Sequence, residues 1–518
     1  MCGALALGCG GRPDGWNTTY SEGASAGNVA RAYGLTGSVA VVDQSLGRVM
    51  MLRSPAALAL DSKLIALGHS LANARESADR KTLFVLSRGD QPRRKASDQA
   101  PQLMLIDGDT APQIEQTYTL TEPMEQLEID PKNEWAVIYG SSGVVVNLNE
   151  LVLVDLSKTG DDALSFKTLR SFGGSPKRFT FTAPITIPGG ESRRFLIVER
   201  DSDLVLIDLS KPDGSEITVP LPLTDAGGTA SSAQVVYDAA SAFIAVRVTG
   251  TTNVFTIQLG PATEDGQDYF PVTNLIDVGG LPATIDFVHN TQGLRLVALV
   301  GNNAVLADPA AGTTQSAAMP AAFTGIRRIT SELNPDAVPA NGDVALLYSP
   351  NITKIAYFTL GGAPGALYRS IEPYDIGISV KDVIDVPGDT YFDRKILETP
   401  GQQFYVLDLS TRQSAPMKTN SGLSLELAPD GQRVWAYKTG QPGFASVDFA
   451  TLHPITLIAE REVSDVFDIA SQNGDRSAVA LHLGLSSGQG VGATVLDALA
   501  PSTANARFYS GLELGGLR

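Results

Sequence analysis

Short runs of consecutive apolar residues recur along this chain, each closed by a polar turn, and many end in aspartate. The series runs Val39-Ala40-Val41-Val42-Asp43, Leu103-Met104-Leu105-Ile106-Asp107, Leu151-Val152-Leu153-Val154-Asp155 and Leu204-Val205-Leu206-Ile207-Asp208. Weaker copies are Val254-Phe255-Thr256-Ile257-Gln258, Ala304-Val305-Leu306-Ala307-Asp308 and Ile355-Ala356-Tyr357-Phe358-Thr359. Three late copies end at Asp408, Asp448 and Asp497. The marks return about every 50 residues, the spacing of one multi-strand repeat. The wide gap between Asp43 and Asp107 holds a polar insertion, residues 89–102.

Each mark predicts a strand, and other strands flank it. A second strand precedes most marks, as in Phe195-Leu196-Ile197-Val198 and Val434-Trp435-Ala436-Tyr437. A further strand lies upstream across a tight turn, most clearly at Pro429-Asp430-Gly431: Pro presets φ, Asp bonds its own backbone and Gly accepts positive φ. Trp135 and Trp435 follow this turn in their copies and are expected to be buried between repeats. A fourth strand follows each mark, as in Glu216-Ile217-Thr218-Val219, and no amphipathic helix of useful length interrupts the series.

Four strands per repeat without helices describe a β-propeller blade. A lone blade has two apolar faces, and only radial packing against neighbours buries both. The strand–turn–strand–Asp unit with its Pro-Asp-Gly turn resembles the YVTN-type repeats of bacterial surface proteins and lactonase-like proteins, over roughly residues 36–512. The fold expected is all-β: one propeller of four-stranded blades, eight in number, with nine as the alternative and seven a more distant one. Nine follows if Val39 to Leu52 complete the unit that begins near Val463, a shared blade closing the ring.

Composition narrows the function. Lys and Arg number 39 against 56 Asp and Glu, a formal charge of −17. Polynucleotide binding needs a basic face, so a nucleic-acid partner is not expected. Apolar residues make up 43% of the chain, enough for a large core.

The two cysteines, Cys2 and Cys9, both stand at the N-terminus, which leaves no disulfide framework and no cysteine zinc site. The run Gly3-Ala4-Leu5-Ala6-Leu7-Gly8-Cys9, followed by a polar, Gly-rich stretch, resembles the end of a bacterial lipoprotein signal peptide. The resemblance implies residues 1–8 as the remainder of a signal truncated by a late start, Cys9 as the lipid attachment site, 9–35 as a flexible tether and 36–518 as the propeller.

No catalytic motif stands out. His69, His289, His453 and His482 are dispersed, so no short-spaced metal pair exists. Gly484-Leu485-Ser486-Ser487-Gly488 has the spacing of a nucleophile elbow, but the glycines after it cannot start the helix an elbow needs. Asp107-Gly108-Asp109, Asp201-Ser202-Asp203 and Glu264-Asp265-Gly266-Gln267-Asp268 could offer hard oxygens to a structural or channel calcium ion; the simpler reading is solvated turn residues. The repeated Asp reads as a turn-former. Arg88-Gly89-Asp90 and Arg93-Arg94-Lys95 place a basic patch on the exposed insertion.

The expected function is a non-enzymatic binding or scaffold propeller in a bacterial cell envelope, at the outer membrane with a periplasmic or surface face. It would touch the membrane only through its lipid and contact envelope proteins or glycans, with no cofactor beyond such a calcium ion. The alternative is a lactonase-like hydrolase with a metal-assisted site at the central channel.

Overall fold

The computed structural model describes residues 30–510 and Leu512, except positions 45–46, 57, 109–111, 141–146, 171–173, 187–191, 215, 230, 261–270, 331–341, 362–365, 389, 418–422, 471–473 and 484–490. The lipid-attachment candidate Cys9, the Gly484–Gly488 motif and the Glu264–Asp268 cluster lie outside the described residues.

Ten four-stranded antiparallel sheets follow one another along the chain. They form blades 1 to 10, over residues 30–66, 71–119, 126–168, 178–220, 232–277, 284–318, 325–375, 382–416, 424–463 and 465–510. Blade 4 carries an extra two-stranded ribbon, Ile185–Thr186 with Ser192–Arg193. The expectation of one all-β propeller holds; the expected eight blades become ten, and the alternative of nine is corrected with them.

Blade 1 departs from the repeat at its first mark. Val39–Asp43 belongs to the second strand of blade 1, Ser38–Asp43, and the third strand is Arg48–Arg53. Residues 39–52 therefore pair within their own sheet, with Ala30–Gly34 before them and Asp61–Ala66 after. Blade 10 likewise owns all four of its strands, so no blade is shared at closure. The first strand of blade 1 also lies inside the stretch read as a tether.

Why the strands read as continuous apolar runs is visible in blade 4. Phe195 and Ile197 face blade 5, packing with Leu204, Leu206, Ile244 and Ile257. Their neighbours Leu196 and Val198 face blade 3, packing with Val137, Leu151 and Leu153. Side chains alternate across the sheet and both sides are interior, so both alternating sets must be apolar. Ten such cores lie between successive blades. The core joining Val479 and Leu481 of blade 10 to Val39 and Leu52 of blade 1 makes the series a closed ring. Burying each of these side chains is worth about 1.5–3 kcal/mol.

The repeated aspartate has a double task. Its carboxylate accepts backbone N–H groups of the turn that follows: Ser157 at Asp155, Ser210 at Asp208, Ala310 and Ala311 at Asp308, Thr411 at Asp408, Ala450 and Thr451 at Asp448, and Leu499 at Asp497. The residue after the mark then turns inward against the preceding blade, as Leu209, Leu360, Leu409 and Phe449 do. Its carbonyl is often taken by that blade: Ser38 Oγ donates to Gly108 O at 2.6 Å, Thr256 Oγ1 to Pro309 O at 3.0 Å, Tyr357 Oη to Leu409 O at 3.4 Å, and Arg394 to Phe449 O. One residue position thus shapes its own hairpin and clips it to its neighbour.

First strands are innermost. Those of neighbouring blades touch one another, and Gln234 of blade 5 bonds both backbone groups of Ile285 in blade 6, at 2.9 and 3.1 Å. Fourth strands such as Thr314–Ala318 are largely exposed and form the rim. The first–second turns crowd together too. Gly431 has φ 65°, and a Cβ there would sit 1.7 Å from Pro387 O of blade 8, so both the turn and the close approach require glycine.

Candidate functional site

The first strands of blades 5, 6 and 7 end in a cavity of about 380 Å³ lined by Tyr237, Asp238, Ala239, Asp286, Phe287, Arg327 and Arg328. Asp238 closes the strand Ser232–Asp238, Asp286 lies in Thr284–Asn290, and the two arginines end Gly325–Arg328. In each strand, apolar neighbours face the blade cores: Ile285 and Phe287 flank Asp286, and Ile326 precedes the arginines. That packing fixes the backbone and leaves the charged positions to the inner side.

The charges are unevenly satisfied. Asp238 is buried and accepts Ser241 N–H at 2.8 Å. Asp343 is buried and takes His289 N–H at 2.6 Å and Thr330 Oγ1–H at 2.7 Å, with the His289 ring at 3.4 Å. Burial alone would raise its pKa, but these bonds and the Arg328 charge outweigh that and hold it below the usual aspartate value. Asp385 of blade 8 is shared between Lys395, at 2.7 Å, and Arg327.

Asp286 differs. Burial pushes its carboxyl up to about 6, a rise that the Phe287 N–H bond at 2.8 Å and the charges of Arg328 and Arg327 only partly oppose. A carboxyl kept at stability's expense inside a cavity marks a candidate functional group. Arg328 approaches Asp238 and Asp343 only at 3.9 Å each, beyond hydrogen-bond reach, and is about half exposed. The arrangement can bind: two guanidinium groups offer planar donors, and one carboxyl can give or take a proton near neutral pH.

The residues singled out from sequence fall elsewhere. His69 is exposed and pairs with Asp90 at 2.8 Å. His482 is buried in blade 10 between Glu462 O and Thr494 Oγ1, and burial lowers its pKa. His453 lies exposed on blade 9. Only His289 stands beside the cavity, through Asp343. Asp201 pairs with Lys177 at 2.6 Å, Asp203 is buried near Arg200, and Asp107 ends a third strand. Among the described residues, no group of three or more His, Cys, Asp or Glu could hold a metal ion. No helix among them is long and apolar enough to cross a membrane.

Sequence reasoning missed Asp286, Arg327 and Arg328 because no local motif joins them. The signal was the register: once the repeats are aligned, these are the charged positions of consecutive innermost strands.

No protein-family profile and no curated protein matches the chain. Among solved structures it is similar to the dihydro-heme d1 dehydrogenase NirN in complex with DHE, at 10% identity and TM-score 0.38 over 83% of this chain and 74% of that one. It is also similar to Saccharomyces cerevisiae Sqt1, at 14% identity and TM-score 0.39 over 68% and 91% of the two chains. A third likeness is to apo AztD from Citrobacter koseri, at 9% identity and TM-score 0.37 over 85% and 98%. Likenesses of this size carry no argument about what the chain binds or catalyses.

Proposed function

We propose that this protein is a non-enzymatic binding propeller, displayed in a bacterial envelope by lipid at Cys9 and contacting envelope proteins or glycans. The observation that carries the binding reading is the inner cavity, where Arg328, without a side-chain hydrogen bond among the described residues, stands beside Asp286 on a frame of packed strands. Rigid presentation of a few charged groups suits recognition, because little ordering entropy is lost on binding. The acidic chain as a whole would be repelled by anionic headgroups, which fits a tethered ring better than one lying on a membrane.

Crosslinking in intact envelopes tests the reading. The wild-type ring should capture a defined partner or glycan, and Arg327→Gln with Arg328→Gln should lose it while still melting as one folded ring. Capture indifferent to these changes would remove the cavity from the function. Cys9→Ser should release the protein from membranes.

A propeller hydrolase is the second reading, favoured by one observation: the Asp286 carboxyl at about 6 has the poise of a general acid or base. Lactone or ester turnover abolished by Asp286→Asn would establish it.

A further inference from the structure

We propose that the cavity between the first strands of blades 5, 6 and 7 binds a monocarboxylate of about monosaccharide size, its carboxylate held by Arg328 and its charge accommodated by proton uptake at Asp286. This assignment rests on the binding reading above and names the ligand class for that site.

The donor set points to an oxyanion. Among the described residues, the Arg328 side chain makes no hydrogen bond: its ion-pair partners Asp238 and Asp343 each lie at 3.9 Å, and its charge also acts on Asp286. A guanidinium fork matches a carboxylate with two parallel bonds. Arg327 stands beside it on the same strand, engaged with Asp385, and adds positive potential. A cationic ligand would meet both guanidinium groups.

The surrounding acids limit the ligand's charge. Asp238, Asp286, Asp343 and Asp385 all stand within this network. Each negative charge on the ligand is repelled by these carboxylates, so a dianion meets about twice the repulsion of a monoanion, and protonation of Asp286 removes one of the four. The neutral carboxyl then donates a hydrogen bond where the ionised one would repel. The volume of about 380 Å³ falls in the roughly 300–1,000 Å³ range of small-ligand sites and leaves room beyond the carboxylate itself. Tyr237, half-buried at the cavity edge, gives that remainder one aromatic side, which suits a sugar ring or another compact body.

The proton has a defined seat. Asp286 faces Arg327, Arg328, Asp343 and Tyr348 from blade 7 and shares its strand with His289, which is tied to Asp343. Tyr237 and Asp238 close the wall from blade 5. Of the carboxyls here whose shift is resolved, Asp343 and Asp385 are held down by their partners, and only Asp286 is raised into the range where a proton can enter near neutral pH.

Calorimetric titration of the full chain with glucuronate at pH 5.5 and 7.5 is the test, with glucose and inorganic phosphate alongside. Glucuronate should bind about 25-fold more tightly at pH 5.5, the ratio of protonated Asp286 at the two pH values. Glucose should not bind, and phosphate at pH 7.5, where it is mainly a dianion, should bind more weakly than glucuronate. Arg328→Gln should abolish binding at both pH values. Asp286→Asn should bind at both, within about threefold of the wild type at pH 5.5. His289→Gln should keep the pH dependence. No glucuronate binding at pH 5.5, binding untouched by Arg328→Gln, phosphate bound more tightly at pH 7.5, or a pH dependence that survives Asp286→Asn would each overturn the proposal. If glucuronate fails but the arginine variants still lose the crosslinked partner, the ligand class is wrong and the binding reading stands. If both assays ignore the arginines, both readings fall.

Discussion

Trp435 and Trp135 follow the same turn in their repeats but stand two positions apart in register: Trp135 pairs with the mark Asp155, Trp435 with Ser446 two residues before the mark Asp448, and they bear different loads. Trp435 is fully buried between blades 9 and 10, and its Nε1–H donates to Asp468 at 3.1 Å. Asp468 also receives Arg476 at 2.6 and 2.9 Å. Trp435→Ala opens a cavity and strips a buried carboxylate of a donor, so denaturant melts should show a loss of about 3–5 kcal/mol. Trp135 begins its strand and is only partly buried against the blade 3–4 core. Its alanine variant should lose about 1–2 kcal/mol. Equal losses would contradict this division. At Asp286 the effect runs the other way. Its folded pKa lies near 6 against 3.8 ordinarily, so its contribution to stability is fully present below about pH 3.8 and is lost as pH rises through 6. Asp286→Asn removes the cost of the buried charge. The variant should gain about 1–2 kcal/mol at pH 7.5 and nothing near pH 3.5, and a loss at pH 7.5 would show that the ionised carboxylate is a net support.

At the scale of strands and turns, the sequence was most readable where one residue type does one mechanical job in every copy. The aspartate marks located the third strands of blades 2 to 10 because each caps the turn that follows or holds the equivalent place. Blade 1 misled because its second strand ends in Asp43 while its third ends in Arg53. The motif was present, one strand too early, and the gap to Asp107 looked longer than it is. The insertion was legible as composition, but its anchoring was not. Residues 88–101 join the second and third strands of blade 2. Their base is closed by Asp90 N–H to Gln99 O at 3.0 Å and Gln99 N–H to the Asp90 carboxylate at 2.7 Å, and Gln99 also holds the His69 amide at 2.7 Å. Replacing residues 91–98 with a short Gly-containing turn should therefore shift the melting temperature by less than about 2 °C. Asp90→Ala in the intact loop should lower the melting temperature, since the carboxylate's bonds to Gln99 N–H at 2.7 Å and to the His69 ring at 2.8 Å go with it. A larger drop from the shortened loop than from Asp90→Ala would place the anchoring at the tip. The cavity was illegible for a different reason: Asp286 and Arg328 become neighbours only after ring packing sets adjacent first strands side by side, a relation that neighbours in sequence cannot express.

For the whole ring, closure is the mechanical question, because among the described residues no strand crosses the seam between blades 10 and 1. What holds it is the core of Val39, Leu52, Val479 and Leu481, with Ser54 Oγ and Ser477 Oγ at 2.7 Å and Tyr509 Oη–H donating to Leu58 O at 2.9 Å. Ala470 N–H donates to Thr36 O and Thr36 N–H to Arg80 O, both at 2.8 Å, which links blades 10, 1 and 2 in sequence. Arg80 then reaches beyond both terminal blades to Glu426 on the first strand of blade 9, at 2.9 Å. Burial raises the Glu426 carboxyl's pKa despite that partner. Arg80→Ala leaves the carboxylate without its cation and should cost about 2–4 kcal/mol, whereas Glu426→Gln, which discards both the pair and the burial cost, should lose less than about 1 kcal/mol. The double variant should fall near Glu426→Gln, because the penalty of the single arginine change is mostly the stranded charge. If this pair braces the seam, amide exchange in the Arg80→Ala ring should quicken first in blades 1 and 10 and leave blades 5 and 6 unchanged. Uniform quickening around the ring would mean that the pair supports global stability and that the seam is as firm as any other blade interface.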